Sequence, residues 1–218
     1  MLPKVIVFAR APAPGAVKTR LQAALSAGAA AELHIAMVTD LVVQLKQLRP
    51  AVDLELHTSE ATDAFSFLDV PKRVQKPGDL GERLRAAVIN GLREESRPAV
   101  LVIGSDSPTV PLAYIHDLLA TTTDVAIGPA SDGGYYAILC RRAHPQMFSG
   151  ITWSGPATAA ETATSMRKCG FTVALGPEWY DVDTPADLQR LAGDPNLGSA
   201  TRRALQGAAH VLTGCGSA

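Results

Sequence analysis

The chain contains the segment Ala99-Val100-Leu101-Val102-Ile103-Gly104-Ser105-Asp106-Ser107-Pro108, in which an apolar run changes abruptly into small and acidic residues. A continuous apolar run of strand length predicts a strand that is covered on both faces. Asp106 follows this strand, where the chain should enter a loop. In open α/β sheets the carboxyl ends of parallel strands form one ligand-binding edge. We therefore expect Asp106 to lie at a binding site.

Predicted strands and helices alternate on both sides of this segment. Apolar runs typical of buried strands occur at residues 5–9, 125–128 and 135–140, and apolar residues recur at helical spacing over residues 27–48 and 79–93. Such alternation indicates an α/β fold with a mostly parallel central sheet and helices on both faces. The sequence thus predicts one domain of this class.

The length of 218 residues is sufficient for one substantial core. The segment Asp194-Pro195-Asn196-Leu197-Gly198 is the best boundary, because turn-forming residues concentrate there. It separates a predicted nucleotide-binding transferase domain at residues 1–193 from a helical tail at residues 194–218. The tail should contain a helix near residues 200–212, which could pack on the domain or on a second subunit of a homodimer.

Composition limits the partners and the compartment. The formal net charge is -1 with mixed signs, so no global field attracts a polyanion, and nucleic acid is not expected as a partner. The three cysteines, Cys140, Cys169 and Cys215, are widely spaced and predict neither a disulfide framework nor a zinc site. The start of the chain lacks signal-peptide features, and no later segment approaches a membrane span. We expect a soluble, cytoplasmic protein without a membrane partner.

A second acidic motif, Asp181-Val182-Asp183-Thr184-Pro185, should share the binding edge with Asp106. If a strand persists through it, alternation turns Asp181 and Asp183 to the same side. One or two carboxylates together with phosphate oxygens suit Mg²⁺ or Mn²⁺, so the predicted metal ligands are Asp106 and at least one of Asp181 and Asp183. Alternatively, Asp106 caps a turn and Asp183 caps the following helix.

The loop after the first predicted strand carries Arg10, Lys18 and Arg20 around the turn-forming Pro14-Gly15. It is not a P-loop, since Val17 stands where glycine should precede the lysine, and the Rossmann glycine pattern is also missing. A cationic loop before a helix favours an anion. We expect Lys18 and Arg20 to contact phosphate rather than acidic side chains of the protein. The alternative is a solvated basic loop.

Three further features could contact a ligand. Asp132-Gly133-Gly134 would allow close approach to the backbone, although it could be a plain hairpin turn. Trp153 could stack on a sugar ring, although filling the core is the more common role. The histidines at positions 34, 57, 116, 144 and 210 show no metal spacing and are assigned no chemistry.

Several motifs together resemble the small bacterial nucleotide-diphospho-sugar transferases of GT-A type, a branch labelled arsenosugar-biosynthesis glycosyltransferases. The resemblance runs from Val5 to about Leu191 and is carried by Phe8-Ala9-Arg10, Pro14-Gly15, Lys18-Thr19-Arg20-Leu21, Gly78-Asp79-Leu80-Gly81-Glu82-Arg83, Gly104-Ser105-Asp106-Ser107-Pro108, Asp132-Gly133-Gly134-Tyr135-Tyr136 and Asp181-Val182-Asp183-Thr184-Pro185-Ala186-Asp187-Leu188.

Similar Lys-Thr-Arg and Asp-Thr-Pro-x-Asp-Leu elements occur in nucleotidyltransferases of the same superfamily, such as the guanylyltransferases for phospholactate and molybdenum cofactor. The resemblance implies a single-domain GT-A fold. It also implies that the substrate-binding residues are Arg10, Gly15, Gly81, Arg83, Asp132, Gly133, Gly134 and Trp153. One departure is that GT-A glycosyltransferases usually carry Asp-x-Asp, where this chain has Asp106-Ser107-Pro108.

The combined features predict a metal-dependent transferase with Asp106, Lys18 and Arg20 as catalytic residues. Glycosyl transfer from a nucleotide sugar to a small acceptor stands slightly ahead. The second hypothesis is nucleotidyl transfer from a nucleoside triphosphate to a small phosphorylated substrate. Both depend on neutralising charge that develops on the leaving group. A hypothesis of another class is a non-catalytic nucleotide-binding module.

Overall fold

The computed structural model describes residues 1–214, apart from the side chains of Glu94 and of residues 209–214. Cys215 and the side chain of His210 therefore lie outside the described part of the chain. The strands are β1 (Lys4–Ala9), β2 (Asp53–Thr58), β3 (Lys72–Val74), β4 (Val100–Gly104), β5 (Val125–Pro129), β6 (Tyr135–Cys140) and β7 (Val173–Leu175). The α-helices are α1 (Ala27–Leu45), α2 (Leu80–Ile89), α3 (Leu112–Ala120), α4 (Thr158–Lys168), α5 (Pro185–Ala192) and α6 (Ser199–Gly214).

The seven strands form one sheet in the order β3-β2-β1-β4-β6-β5-β7. Strand β6 is antiparallel to both β4 and β5, and the other neighbours are parallel. Helices cover both faces, so the predicted fold class is confirmed. Because β6 is reversed, its amino end lies beside the carboxyl end of β4.

The apolar run around β4 forms the centre of this sheet. Alternate residues of β4 enter the two main cores, with Leu101 on one face and Val102 on the other. β1 pairs with it in register, so that Phe8 lies opposite Gly104 at the carboxyl edge. The strand that carries Asp106 is thus fixed by burial on both faces.

Helix α1 corrects one expectation. The segment Ala27–Leu48 is long and apolar enough to cross a membrane by length and composition, whereas the sequence was expected to contain no such segment. In the fold, 61% of its most apolar stretch is buried inside the protein. The apolar residues of α1 pack against the sheet and against α6, as in the core helix of an α/β domain.

Helix α2 ends earlier than the periodicity over residues 79–93 predicts. The α-helix stops at Ile89 and continues as a π-type turn at Asn90–Glu94. Gly91 faces Val100 so closely that an added Cβ would lie 2.4 Å from the valine Cγ2. The backbone changes from α-helical to π-type hydrogen bonding where it approaches the sheet. The spacing of apolar residues does not reveal such a change.

The C-terminal helix packs on the domain through α1. Asp40 of α1 accepts hydrogen bonds from the backbone N–H groups of Ala200 (3.1 Å) and Thr201 (2.7 Å), two donors of the first turn of α6. Leu197 and Ala208 enter the same core cluster as residues of α1. The described part of the tail is therefore held by both polar and apolar contacts.

Candidate nucleotide site

A cavity of about 630 Å³ opens at the carboxyl ends of β1 and β4. It is lined by residues from the loop after β1, the loop after β4, the β5–β6 turn, the start of α2 and the segment before α5. The sequence-predicted residues that it brings together are Arg10, Lys18, Arg20, Arg83, Asp106, Asp132, Trp153 and Asp183. The predicted residues Gly15, Gly81, Gly133, Gly134 and Asp181 are not part of this lining.

Lys18 lies at the centre of the acidic side of the cavity. Its Nζ is 2.5 Å from Asp106 Oδ1 and 3.4 Å from Asp183 Oδ1, and it donates a hydrogen bond to the Val182 carbonyl oxygen at 2.7 Å. The side chain is only 4% exposed, although it comes from an open loop. Lys18 thereby joins two acidic motifs that are far apart in sequence.

This contact corrects the expectation that Lys18 contacts phosphate rather than acidic side chains. Burial alone would lower the pKa of Lys18, but Asp106 and Asp183 outweigh burial and raise that pKa above its ordinary value. Burial would likewise raise the pKa of Asp106, and Lys18 holds it below its usual range. The physical reason is that two carboxylates at one sheet edge need a nearby cation.

The backbone of Lys18 adopts an uncommon conformation that directs its side chain to the acidic residues. Lys18 has φ 48° and ψ 40°, a left-handed conformation that is unfavourable for a residue with a side chain. The neighbouring Val17 is buried, which anchors the loop. The ion pairs and the hydrogen bond of Lys18 offset this strain.

Asp181 does not join Asp106 and Asp183 at the ammonium. No strand runs through residues 181–183, so the predicted alternation of Asp181 and Asp183 is wrong. Instead, the Val182 N–H donates to the Asp106 carbonyl at 2.8 Å, and the Ser107 hydroxyl donates to Asp181. Burial and the nearby acids raise the pKa of Asp181 to about 7. The two acids of the Asp181-Val182-Asp183 motif therefore have different partners: Asp181 binds Ser107, and Asp183 binds Lys18.

Asp183 is close to, but not at, the start of α5. Thr184 is the N-cap residue and forms a reciprocal capping box with Asp187. The Asp187 carboxylate also accepts a hydrogen bond from the Asp183 N–H at 3.1 Å. Because Thr184 and Asp187 satisfy the helix terminus, the Asp183 carboxylate remains available to Lys18 or to another cation.

The other cations of the loop have different surroundings. Arg10 is exposed, and its Nη1 donates to the Ala16 carbonyl at 3.3 Å. Arg20 is exposed at the start of a short 3-10 turn. Within the described residues, neither arginine forms an ion pair with a carboxylate. Gly15, at φ 83°, supplies the turn that brings this loop around the cavity.

His34 is a site residue that the sequence did not reveal. It is buried on α1, and its Nε2 lies 3.1 Å from the Arg10 carbonyl oxygen. Burial lowers its pKa, which keeps the ring neutral near pH 7. His34 fixes the point at which the loop leaves β1. Its position among the apolar residues of α1 gave no sign of this role.

The Asp132-Gly133-Gly134 turn is shaped by packing within the protein. Gly133 has φ 90°, and an added Cβ would lie 2.0 Å from the Pro156 carbonyl oxygen. Asp132 Oδ1 accepts a hydrogen bond from the Gly134 N–H at 2.8 Å. The glycine therefore allows the turn to approach the start of α4, and Asp132 is the residue that reaches the cavity.

Trp153 lines both the main cavity, together with Arg83, and a second cavity of about 390 Å³, together with Gly81. Trp153 packs over Gly81, where an added Cβ would lie 3.0 Å from the indole Cζ2. The ring also packs on the core through Phe148 while contributing to both cavity walls. Trp153 thus combines the two roles that the sequence left open, a core contact and a surface facing the cavity.

Arg83 is positioned by a second residue that the sequence did not reveal. Its Nε donates to the Gly78 carbonyl at 2.8 Å, and its Nη1 lies 3.5 Å from Gln75 Oε1. The Gln75 amide nitrogen donates to the carbonyls of His57 (2.9 Å) and Ala9 (3.3 Å). Gln75 therefore joins the ends of β1 and β2 to a cation of the cavity.

Another acidic cluster lies apart from this site. Three acidic side chains bring one oxygen each to within 4.8 Å of one another: Asp53, Glu55 and Glu95. Among the described residues, this is the one group of histidine, cysteine or acidic side chains that is close enough to hold a metal ion. Lys4 Nζ is 2.6 Å from Glu55, and Arg97 is 2.5 Å from Asp53. Basic side chains already neutralise this cluster, so its role is structural.

Asp106 and Asp183 fit a divalent cation better than the other acids. Both carboxylates are partly exposed to the cavity and already share one cationic group, the Lys18 ammonium. Mg²⁺ and Mn²⁺ are commonly held by one or two carboxylates together with phosphates and water. Asp181 is directed to Ser107 and is not required for such a pair.

Comparison with solved structures identifies the class of fold. A solved structure from Desulfovibrio desulfuricans G20, named a nucleotide-diphospho-sugar transferase, is 29% identical, with a TM-score of 0.79 over 95% of this chain and 98% of that one. A Leptospira borgpetersenii cytidylyltransferase shares the fold at 12% identity, with a TM-score of 0.58 over 98% and 96% of the two chains. The protein therefore has a nucleotide-transferase fold.

Sequence comparison identifies the family. Residues 39–155 match the family described as "Uncharacterized protein conserved in bacteria (DUF2064)", and the chain belongs to this family. A phosphoenolpyruvate guanylyltransferase from Roseiflexus castenholzii is 30% identical over 194 residues, which cover 86% of this chain and 87% of that protein. The resemblance to nucleotide-diphospho-sugar transferases and guanylyltransferases is confirmed at this level. The arsenosugar label stays a prediction.

Proposed function

We propose that the protein is a nucleotidyltransferase that moves a nucleoside monophosphate from a nucleoside triphosphate to a small phosphorylated acceptor. The observation that carries this proposal is the set of cations around the cavity: Arg10, Lys18, Arg20 and Arg83. Arg10 and Arg20 have no carboxylate partner in the described chain and remain available for a polyphosphate. The guanylyltransferase relative supports the same reaction.

In the reaction, an oxygen of the acceptor phosphate attacks the α-phosphorus of the triphosphate. The bond from the α-phosphorus to the bridging oxygen breaks, and pyrophosphate leaves with the electron pair. A phosphate monoester is largely deprotonated at neutral pH, so this attack needs no protein base. The arginines of the loop would bind the leaving pyrophosphate, since charge-assisted contacts at the site of developing charge lower the barrier.

Asp106 and Asp183 would hold Mg²⁺ or Mn²⁺, which would supply charge neutralisation and orientation of the phosphates. Arg83 would fix the nucleotide from the α2 side, where Gln75 restricts its guanidinium. His34 would keep the backbone of Arg10 in place without taking part in proton transfer, because its Nε2 is already engaged.

Glycosyl transfer is the second candidate, favoured by one specific feature. Trp153 presents part of its ring to a cavity that Asp132 also lines. An indole face and a carboxylate suit a sugar, which offers apolar C–H groups and hydroxyls. In that reaction a nucleoside diphosphate, rather than pyrophosphate, would leave.

A product assay separates the two candidates. The purified protein is incubated with Mg²⁺ and one of three kinds of mixture. The first contains GTP and phosphoenolpyruvate, and the second contains another nucleoside triphosphate and a small phosphomonoester. The third contains a nucleotide sugar and a small alcohol. We expect the signals of pyrophosphate and of a new diphosphate diester in the ³¹P NMR spectrum from one triphosphate mixture. Release of nucleoside diphosphate from a nucleotide sugar, with every triphosphate mixture unreacted, would contradict nucleotidyl transfer. An Arg10→Met, Arg20→Met double variant serves as the matched control and should be inactive.

A further inference from the structure

The position of Lys18 raises the question of what neutralises the acidic edge before a metal ion arrives. The ammonium lies within 3.4 Å of one oxygen of Asp106 and one of Asp183, the two carboxylates best placed to hold a divalent cation. It is also fixed by the Val182 carbonyl at 2.7 Å. A divalent cation held by these two carboxylates would compete with this ammonium for the same negative charge.

We propose that Lys18 is a built-in substitute for the metal, so that its ammonium and a divalent cation are alternative occupants of the Asp106–Asp183 pair. The inference rests on the metal-binding part of the proposed function. Two like-charged cations in one small site repel strongly where water is scarce, and the Lys18 side chain is only 4% exposed. Metal binding therefore requires the ammonium to leave its carboxylate partners.

The surrounding charges show why a substitute is needed. Asp181 interacts electrostatically with Asp106, Asp132 and Asp183, so several carboxylates lie close together at this edge. Without a cation, the paired carboxylates would repel each other and the two segments that carry them would separate. The Val182–Asp106 backbone hydrogen bond joins the same segments, so loss of Lys18 would also weaken this connection.

The exchange gives the displaced ammonium a second partner. The residues of the loop face the cavity that would hold phosphate, and Lys18 itself lines it. A metal that arrives with the triphosphate would take over the carboxylates, while the ammonium would turn to the phosphates. Metal binding without nucleotide is then weak, because the displaced lysine has no phosphate to pair with.

The first experiment measures Mn²⁺ binding without nucleotide, by calorimetry or by the electron paramagnetic resonance of free Mn²⁺. Lys18→Met should bind Mn²⁺ about tenfold or more tightly than the parent, because the competing charge is gone. Arg20→Met is the matched control: it removes a loop cation that touches no carboxylate, so its gain should be much smaller. An equal increase in Mn²⁺ affinity in the two variants would overturn the inference, because it would show that any loss of positive charge from the loop has the same effect.

Thermal unfolding provides a second reading. Lys18→Met should melt below the parent in EDTA and recover when Mn²⁺ is added, whereas the parent should change little with Mn²⁺ alone. If Lys18→Met does not fold, the parent itself can be tested by acetylation with a lysine-specific reagent and mass spectrometry. Lys168, which is exposed, is the internal reference.

In that labelling experiment, modification of Lys18 in the parent should rise with the fraction of protein that has bound Mn²⁺, while Lys168 stays constant. Unchanged protection of Lys18 at saturating Mn²⁺ would overturn the exchange and leave the proposed reaction standing. If Mn²⁺ binds neither variant nor parent even with a triphosphate, the inference also fails. The product assay then decides separately whether nucleotidyl transfer occurs.

Discussion

At the residue scale, the least foreseeable feature is the partner of Lys18. The sequence placed Lys18 and the acids at one sheet edge, and the structure brings Lys18, Asp106 and Asp183 into one cavity. Sequence reasoning assigned the lysine to phosphate because a cationic loop that precedes a helix favours an anion. It had no means of detecting that Lys18 adopts a left-handed backbone conformation and becomes buried. Such pairing depends on three-dimensional distance, which a single chain does not expose.

Arg20 offers the sharpest residue-level test of the polyphosphate site. Arg20→Lys should bind nucleoside triphosphate roughly ten- to a hundredfold more weakly, because the lysine keeps the charge but loses the planar fork. Stability should change little, since the side chain is exposed. Isothermal titration with a non-hydrolysable triphosphate measures the affinity, with the distant Arg49→Lys as control. Equal affinity for parent and Arg20→Lys would remove Arg20 from the site.

Glu55 gives a pH-dependent prediction at the other end of the sheet. Burial would raise its pKa, but His57, Lys4 and Arg73 lower it from the ordinary 4.5 to about 2. A carboxylate with a depressed pKa stabilises the fold above its unfolded pKa and loses this contribution as pH falls through the folded pKa. Glu55→Gln should therefore cost about 3 kcal/mol at pH 7.

The difference between Glu55→Gln and the parent should shrink as the pH falls from about 4.5 to about 2. Urea unfolding at pH 7, 4 and 3 measures this trend. The exposed Glu60→Gln is the control and should match the parent at each pH. A stability difference for Glu55→Gln that stays constant over this range would show that the carboxylate is not responsible.

At the element scale, strands and helices with strong apolar patterns were largely predicted. The strand β6 has the predicted bounds, because its apolar pattern ends at clear turn signals. The shared orientation of Asp181 and Asp183 depended on a strand that continues through residues 181–183. These residues form no ladder and instead attach to the Asp106 loop through one backbone hydrogen bond. The alternation of two acids around a valine is typical of a strand, but the pattern does not reveal whether a neighbouring strand is available for pairing.

The β5–β6 turn provides an element-level test of packing. Gly133→Ala should destabilise the protein by about 2–4 kcal/mol, because the new methyl group meets the Pro156 carbonyl and the residue has positive φ. Gly15→Ala is the matched control, since it shares positive φ but has open space around it. Its cost should be about 1 kcal/mol. Equal losses in urea unfolding would show that conformation, not packing, determines the requirement at Gly133.

At the scale of the whole molecule, the α/β class and the binding edge followed from the alternation of elements. The order of strands did not, and the reversal of β6 was implied only by the alternative of a hairpin turn at Asp132-Gly133-Gly134. Which strands are neighbours depends on long-range pairing, and sequence patterns report only whether a segment is buried. The two cavities and their shared wall at Trp153 arise from this pairing.

A global ligand test follows from the site. A nucleoside triphosphate with Mg²⁺ at a hundred times its dissociation constant should stabilise the fold by about 2.7 kcal/mol. For a chain of this size this corresponds to a rise in melting temperature of roughly 5–10 °C. Differential scanning fluorimetry over a panel of triphosphates and nucleotide sugars measures the shift. The same panel with Asp106→Asn should give a smaller shift for the preferred ligand; an equal shift would exclude Asp106 as a contributor to binding.

The reversal of β6 also affects how this scaffold can change. Since β6 ends at the edge opposite the cavity, the segment at residues 141–157 must return across the domain before Trp153 can reach the cavity wall. This segment belongs to no strand pair, so changes at its exposed positions, away from the buried Met147 and Phe148, leave the sheet intact. Under the proposed reaction, a new acceptor preference would require changes in this returning loop only, while the cationic loop after β1 is kept. Relatives that use different acceptors should diverge first between β6 and α4.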